Sequence, residues 1–79
     1  MAIKFLHTNL AFLRQCEGLS QADLVSDIET FQGVAISRSA YGSYEENRNE
    51  PRLIVVKAIA DYYEISIDDL CFKNLCANG

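Results

Sequence analysis

The sequence predicts an all-α fold of five short helices, and three observations carry that expectation. Apolar residues recur at helical spacing in successive runs: Leu10 and Leu13, Leu24 and Ile28, then Val56, Ile59 and Ala60. Ser20, Ser37 and Ser66 each stand directly before such a run, where a serine hydroxyl satisfies N–H groups of a first turn. No stretch alternates polar and apolar residues for long enough to need a sheet.

The first helix is expected over residues 7–17, HTNLAFLRQCE, with Leu10, Ala11 and Leu13 turned inward. Thr8 is its candidate N-cap. Gly18 is its natural stop, since glycine takes the left-handed conformation that ends a helix. The second helix, SQADLVSDIET, opens on Ser20. Asp23 follows three residues later, close to a capping box. Ala22, Leu24, Val25 and Ile28 make its buried face. FQGVAI is an apolar connection around Gly33. Ser37 caps the third helix, RSAYGSYEE. Ala40, Tyr41 and Tyr44 fall on one side of it, and Arg38, Ser39, Gly42 and Ser43 on the other. Asn47 follows at a position where asparagine tolerates a left-handed turn. Pro51 opens the fourth helix, RLIVVKAIADYYE, whose core stripe is Leu53, Val56, Ile59, Ala60 and Tyr63. ISIDDLC makes the fifth. There Ser66 is the N-cap, Asp68 and Asp69 lie at the positive end of the helix dipole, and Leu70 packs inward.

With 79 residues the chain makes one domain, 1–79, with a core over 7–70 and a short tail over 71–79. A chain this short buries only about 60–65% of its unfolded surface and has little material for a catalytic cleft. No run approaches the ~20 apolar residues that cross a bilayer. Residues 1–13 have no continuous apolar segment or small-residue cleavage site, so no signal peptide and a cytoplasmic location are expected. Cys16, Cys71 and Cys76 have no CxxC spacing. They read as reduced thiols, with one intermolecular bridge through the tail as the alternative. His7 has no partner at a telling spacing and reads as a surface or helix-start residue. No nucleophile–base pair or metal cluster appears, so neither an enzyme nor a cofactor is expected.

The net charge of −4 argues against loose polyanion binding. Its distribution matters more. Residues 30–57 hold Arg38, Arg48, Arg52 and Lys57 against Glu45, Glu46 and Glu50, a net +1. The remainder holds Lys4, Arg14 and Lys73 against eight acidic residues, a net −5.

The stretches LRQCEGLSQADLVSDI, SRSAYGSYEENRNEP and LIVVKAIADYYEISIDDL are similar to the helix-turn-helix domain of the phage Cro and repressor family, the Xre-type regulators. The matching positions are Leu13, Arg14, Gly18, Leu19, Ser20, Gln21, Ser37, Tyr41, Tyr44, Glu45 and Pro51, with Asn47 where the family has glycine. The resemblance covers residues 9–70. It implies a compact, five-helix, lambda-repressor-like domain with its helix-turn-helix at the second and third helices. The third helix then lies in the major groove of double-stranded DNA.

On that resemblance Arg38, Ser39 and Ser43 occupy base-facing positions. Arg38 is the sharpest of them, because a guanidinium bonds both acceptors of a guanine, worth ~1–3 kcal/mol of discrimination. Gly42 permits close approach to the DNA, or simply avoids a clash. Gln21, Ser37, Arg48 and Asn49 are the expected phosphate contacts, Gln21 together with the free N–H groups of its helix. Arg14 and Glu45 are expected to form a partly buried ion pair between the first helix and the reading helix.

Two features depart from the family pattern. Ile28 and Ser37 are nine positions apart, roughly six more than the turn of a helix-turn-helix needs. Either the second helix runs a turn longer or the connection bulges outward; a longer loop is the expectation, held by Phe31, Val34 and Ile36, with the two helices in their usual relation. In addition, Ile54 and Val55 stand at positions that are usually polar. With Tyr62, Phe72 and Leu75 they offer a surface for a partner. A homodimer is the natural occupant, and a toxin protein is the other. The tail either adds to that surface or folds back over the core. A promoter-blocking repressor of a phage or mobile element is the leading expectation. An antitoxin-like or other protein-interaction module with weak or no DNA binding is the alternative.

Overall fold

Five helices order the chain: α1 Leu6–Cys16, α2 Gln21–Gln32, α3 Arg38–Glu45, α4 Leu53–Tyr63 and α5 Ile67–Phe72. They are seen in a computed structural model that describes residues 4–76, among which there is no strand. The three serine caps are as expected. The hydroxyl oxygens of Ser20, Ser37 and Ser66 accept from the N–H groups of Asp23, Ala40 and Asp69, each at 3.0 Å. Gly18 and Asn47 are both left-handed, at φ 70° and 60°.

α1 begins earlier than expected. Leu6 is core, and the Phe5 N–H donates to the Cys71 carbonyl at 3.2 Å, so the helix starts where the chain is already anchored. Thr8 is therefore inside the helix and does not cap it. Its hydroxyl donates back to the Phe5 carbonyl at 3.1 Å. His7, in the same first turn, is half-buried.

The connection after Ile28 is in part a longer helix. α2 continues to Gln32 and stops at Gly33, whose φ of 70° is the left-handed cap. Residues 33–37 then make the link. Val34 packs against the core and Ile36 is buried in it. Phe31 does not help to hold the link, as expected of it, because it is 69% exposed and leans on Tyr62 at 6.5 Å between ring centroids. α3 still packs against both α1 and α2.

α4 corrects the expected stripe. It packs between α2 and α5, so its buried arc is wide and takes in Val55 and Ala58 beside Val56, Ile59 and Ala60. Val55 is only 5% exposed and is core, not partner surface. Leu53, expected in the core, is 71% exposed in the first turn. Pro51 is buried but precedes the helix, and Arg52 is the N-cap.

Asn9 joins α1 to the C-terminal end. It is fully buried, and its amide nitrogen donates to the Leu70 and Lys73 carbonyls, both at 2.7 Å. Its oxygen accepts from the Leu75 N–H at 3.1 Å. The tail, as far as Cys76, thus folds back onto α1, and Leu75 is half-buried. Cys71 is buried in α5, while Cys16 and Cys76 are exposed free thiols.

Candidate nucleic-acid interface

The interface is built outward from one ion pair. Arg14, in the last turn of α1, donates through Nε to Glu45 Oε2 at 2.7 Å and through Nη2 to Oε1 at 3.1 Å. Its Nη1 donates to the Leu19 carbonyl at 2.8 Å. One guanidinium therefore fixes α1, the link before α2 and the end of α3 against each other. Both side chains are largely shielded, at 16% and 7% exposure.

Burial works against ionising Glu45, but donors from Arg14, Tyr41 and Gln21 outweigh it and hold the carboxyl below its ordinary range. The Glu45 hydrogen bond, offset by burial, pushes Arg14 up. Burial, then Glu45, pushes the Tyr41 hydroxyl far up. Tyr41 has one proton to give. Its 3.4 Å contact to the Leu10 carbonyl is long for an O–H donor, and the charged Glu45 is the stronger competitor for it.

Gln21 extends this network to the start of α3. Its amide nitrogen donates to Glu45 Oε1 at 3.0 Å. Its amide oxygen accepts from Arg38 Nη1 at 3.5 Å. The amide that the resemblance gave to a phosphate thus has its nitrogen engaged by Glu45. Of the first-turn N–H groups of α2, that of Asp23 goes to the Ser20 cap, which leaves those of Gln21 and Ala22 for a phosphate.

On α3, Arg38 and Ser39 are exposed at the N-terminal end, beside the exposed cap Ser37. Ser43 is not on that surface. It is 4% exposed, and its hydroxyl donates to the Ala40 carbonyl at 2.6 Å. Its own carbonyl accepts from the Arg48 and Asn49 N–H groups at 2.9 and 3.4 Å. The base-facing assignment of Ser43 is therefore corrected. It anchors the turn after α3, because the left-handed Asn47 folds the chain back over it. Gly42 is buried as well. A Cβ there would come within 3.2 Å of Gln21 Oε1, so its smallness serves the packing of α2 on α3.

Arg48 and Asn49 are exposed on the turn held by Ser43. Arg48 Nε donates to Glu46 Oε1 at 2.6 Å in an open pair. Such surface pairs are weak and yield to a better anion. Of the residues read as partner surface, Ile54 and Phe72 are exposed. Tyr62 is half-buried and donates to Asp27 Oδ2 at 2.8 Å. Burial, then Asp27, pushes its pKa up to about 12. Sequence reasoning missed Asn9, whose polarity gave no sign of full burial, and the exposure of Phe31 and Leu53.

Among the described residues no helix is long and apolar enough to cross a membrane. No curated protein and no solved structure matches the chain. A helix-turn-helix family model matches residues 10–70, most of its length. The span runs from the middle of α1 to Leu70 in α5, and so takes in the Arg14–Glu45 pair, Gln21 and the whole of α3. The chain belongs to the helix-turn-helix family of the Cro and repressor type, a family of DNA-binding regulators.

Proposed function

We propose that this protein is a sequence-specific transcriptional regulator that represses by blocking a promoter, of a phage or other mobile element, within the cytoplasm. The observation that carries the reading is Arg38 with Ser39, exposed at the start of a helix that Arg14, Glu45 and Gln21 lock in place. Arg38 enters the major groove and reads a guanine, and Ser39 lies beside it. Ser37, Arg48, Asn49 and the first turn of α2 hold phosphates on either side. Two copies read two half-sites ~34 Å apart.

A second reading is favoured by the exposed Phe31, Leu53, Ile54 and Phe72 and by the net charge of −4. In it the domain is an antitoxin-like module that binds a protein. Titration of a fluorescent duplex at rising salt separates the two. Phosphate-driven binding weakens along a straight line in log salt. Absent binding, or binding indifferent to salt, selects the protein-interaction module.

A further inference from the structure

We propose that the groove between the end of α2 and the outer face of α4 is a docking site for an apolar, basic segment of a partner protein. DNA reading by α3 does not use this surface. Gln32 and Val34 line one side of the groove and Ile54, Lys57 and Asp61 the other, with Ala58 beneath, around a volume of about 180 Å³. Small-molecule pockets run to ~300–1,000 Å³, so this one takes a side chain or two rather than a metabolite. Ile54, Lys57 and Asp61 recur at i, i+3 and i+7 and share one face of α4. Ile54 and Leu53 are exposed in the first turn of that helix, and Phe31 is exposed next to Gln32. The side built by Gln32 and Val34 belongs to the residues that a short turn between α2 and α3 would lack.

Charge selects the occupant. Lys57 is the cation among the lining residues. Against it stand Asp61 in the groove, the exposed Glu29 one turn before Gln32, and the exposed Glu64 at the C-cap of α4. Neither α2 nor α4 has a basic residue in its last turn, so the negative ends of both helix dipoles lack a cation of their own. Lys57 and Asp61 pair at 3.1 Å in the open, and such a pair yields to a better-placed partner. A segment with an aliphatic side chain for the groove and lysine or arginine beside it satisfies both features. A second copy of this face brings the same excess of acid and fits less well. The groove also lies at the far end of α2 from Gln21, the residue that meets Arg38. α2 has 12 residues, so its ends are ~17 Å apart, and a segment seated at Gln32 leaves Arg38 uncovered.

The test selects binders of the full chain from a displayed library of random peptides of ~15 residues, about four helical turns. Enriched peptides are then titrated into the wild type, Ile54→Ser and Glu29→Lys, each first shown to melt cooperatively, while backbone amide shifts are recorded. Both substituted side chains are exposed, so both variants should fold. The expected peptides combine aliphatic with basic residues and shift the amides of Gln32, Val34, Ile54 and Lys57. Ile54→Ser should weaken them about tenfold, as loss of an apolar anchor does, and Glu29→Lys about threefold at low salt. No enrichment, enrichment of acidic or uncharged peptides, shifts centred elsewhere, or unchanged affinity in folded Ile54→Ser overturns the proposal. Self-association of the wild type without peptide, abolished by Ile54→Ser, also overturns it and gives the groove to a second copy.

Discussion

At the scale of single residues, Glu45 decides most. It collects two bonds from Arg14 and one from Gln21 in a place largely closed to water. Removing Arg14 leaves a carboxylate there without its cation. Arg14→Ala should cost about 3 kcal/mol in urea denaturation, the lower end for a pair that is only partly buried. DNA affinity measured well below the melting temperature should fall less than stability does. Full thermal stability with lost DNA binding would make Arg14 a DNA contact instead. Glu45 also sets a pH dependence. Its folded pKa lies below the ordinary 4.5. Its contribution is therefore present above that value and is lost as pH falls through the folded one. Denaturation midpoints of the wild type and Glu45→Gln, followed downward from neutral pH, should converge in that window. A gap that widens as acid is added would contradict the assignment.

Helices and their junctions show what was legible in the sequence. Ser20, Ser37 and Ser66 marked three starts because capping is local chemistry. The Arg14–Glu45 pair was legible only through the family resemblance, since nothing local links positions 31 residues apart. The inner face of α4 was misread because its burial depends on two flanking helices, which shifted Leu53 out and Val55 in. Ser43 was misread because the turn at Asn47 closes over it. Asn9 was invisible, since its partners lie more than sixty positions away. Asn9→Leu should therefore cost about 3 kcal/mol, because it strands buried carbonyls and one N–H. It should also speed amide hydrogen exchange at Leu75. The link after α2 gives a paired test. Ile36→Ala should cost about 2–4 kcal/mol, and Phe31→Ser should stay within about 0.5 kcal/mol. A large loss from Phe31→Ser would place that ring in the core.

For the whole molecule, charge and size limit what one copy does. The longest extent is 32 Å, close to the ~34 Å between half-sites, and the chain has one α3. Under the proposed function, one copy would read one half-site and a dimer an inverted repeat. Among the described residues, Ile54 and Phe72, with Leu53 and Phe31, are the large apolar groups left exposed for such a contact. The net positive segment, 30–57, includes α3 and the turn after it, while Asp23 stands exposed in the first turn of α2. Enrichment of duplexes from a random pool near physiological salt, with the wild type and Arg38→Ala side by side, tests DNA reading most directly. The wild type should enrich an inverted repeat with a guanine in each half-site, and Arg38→Ala should lose the preference for that guanine while staying folded. A folded wild-type protein that enriches nothing, or an unchanged motif in Arg38→Ala, would contradict the assignment of α3 and Arg38 as the reader.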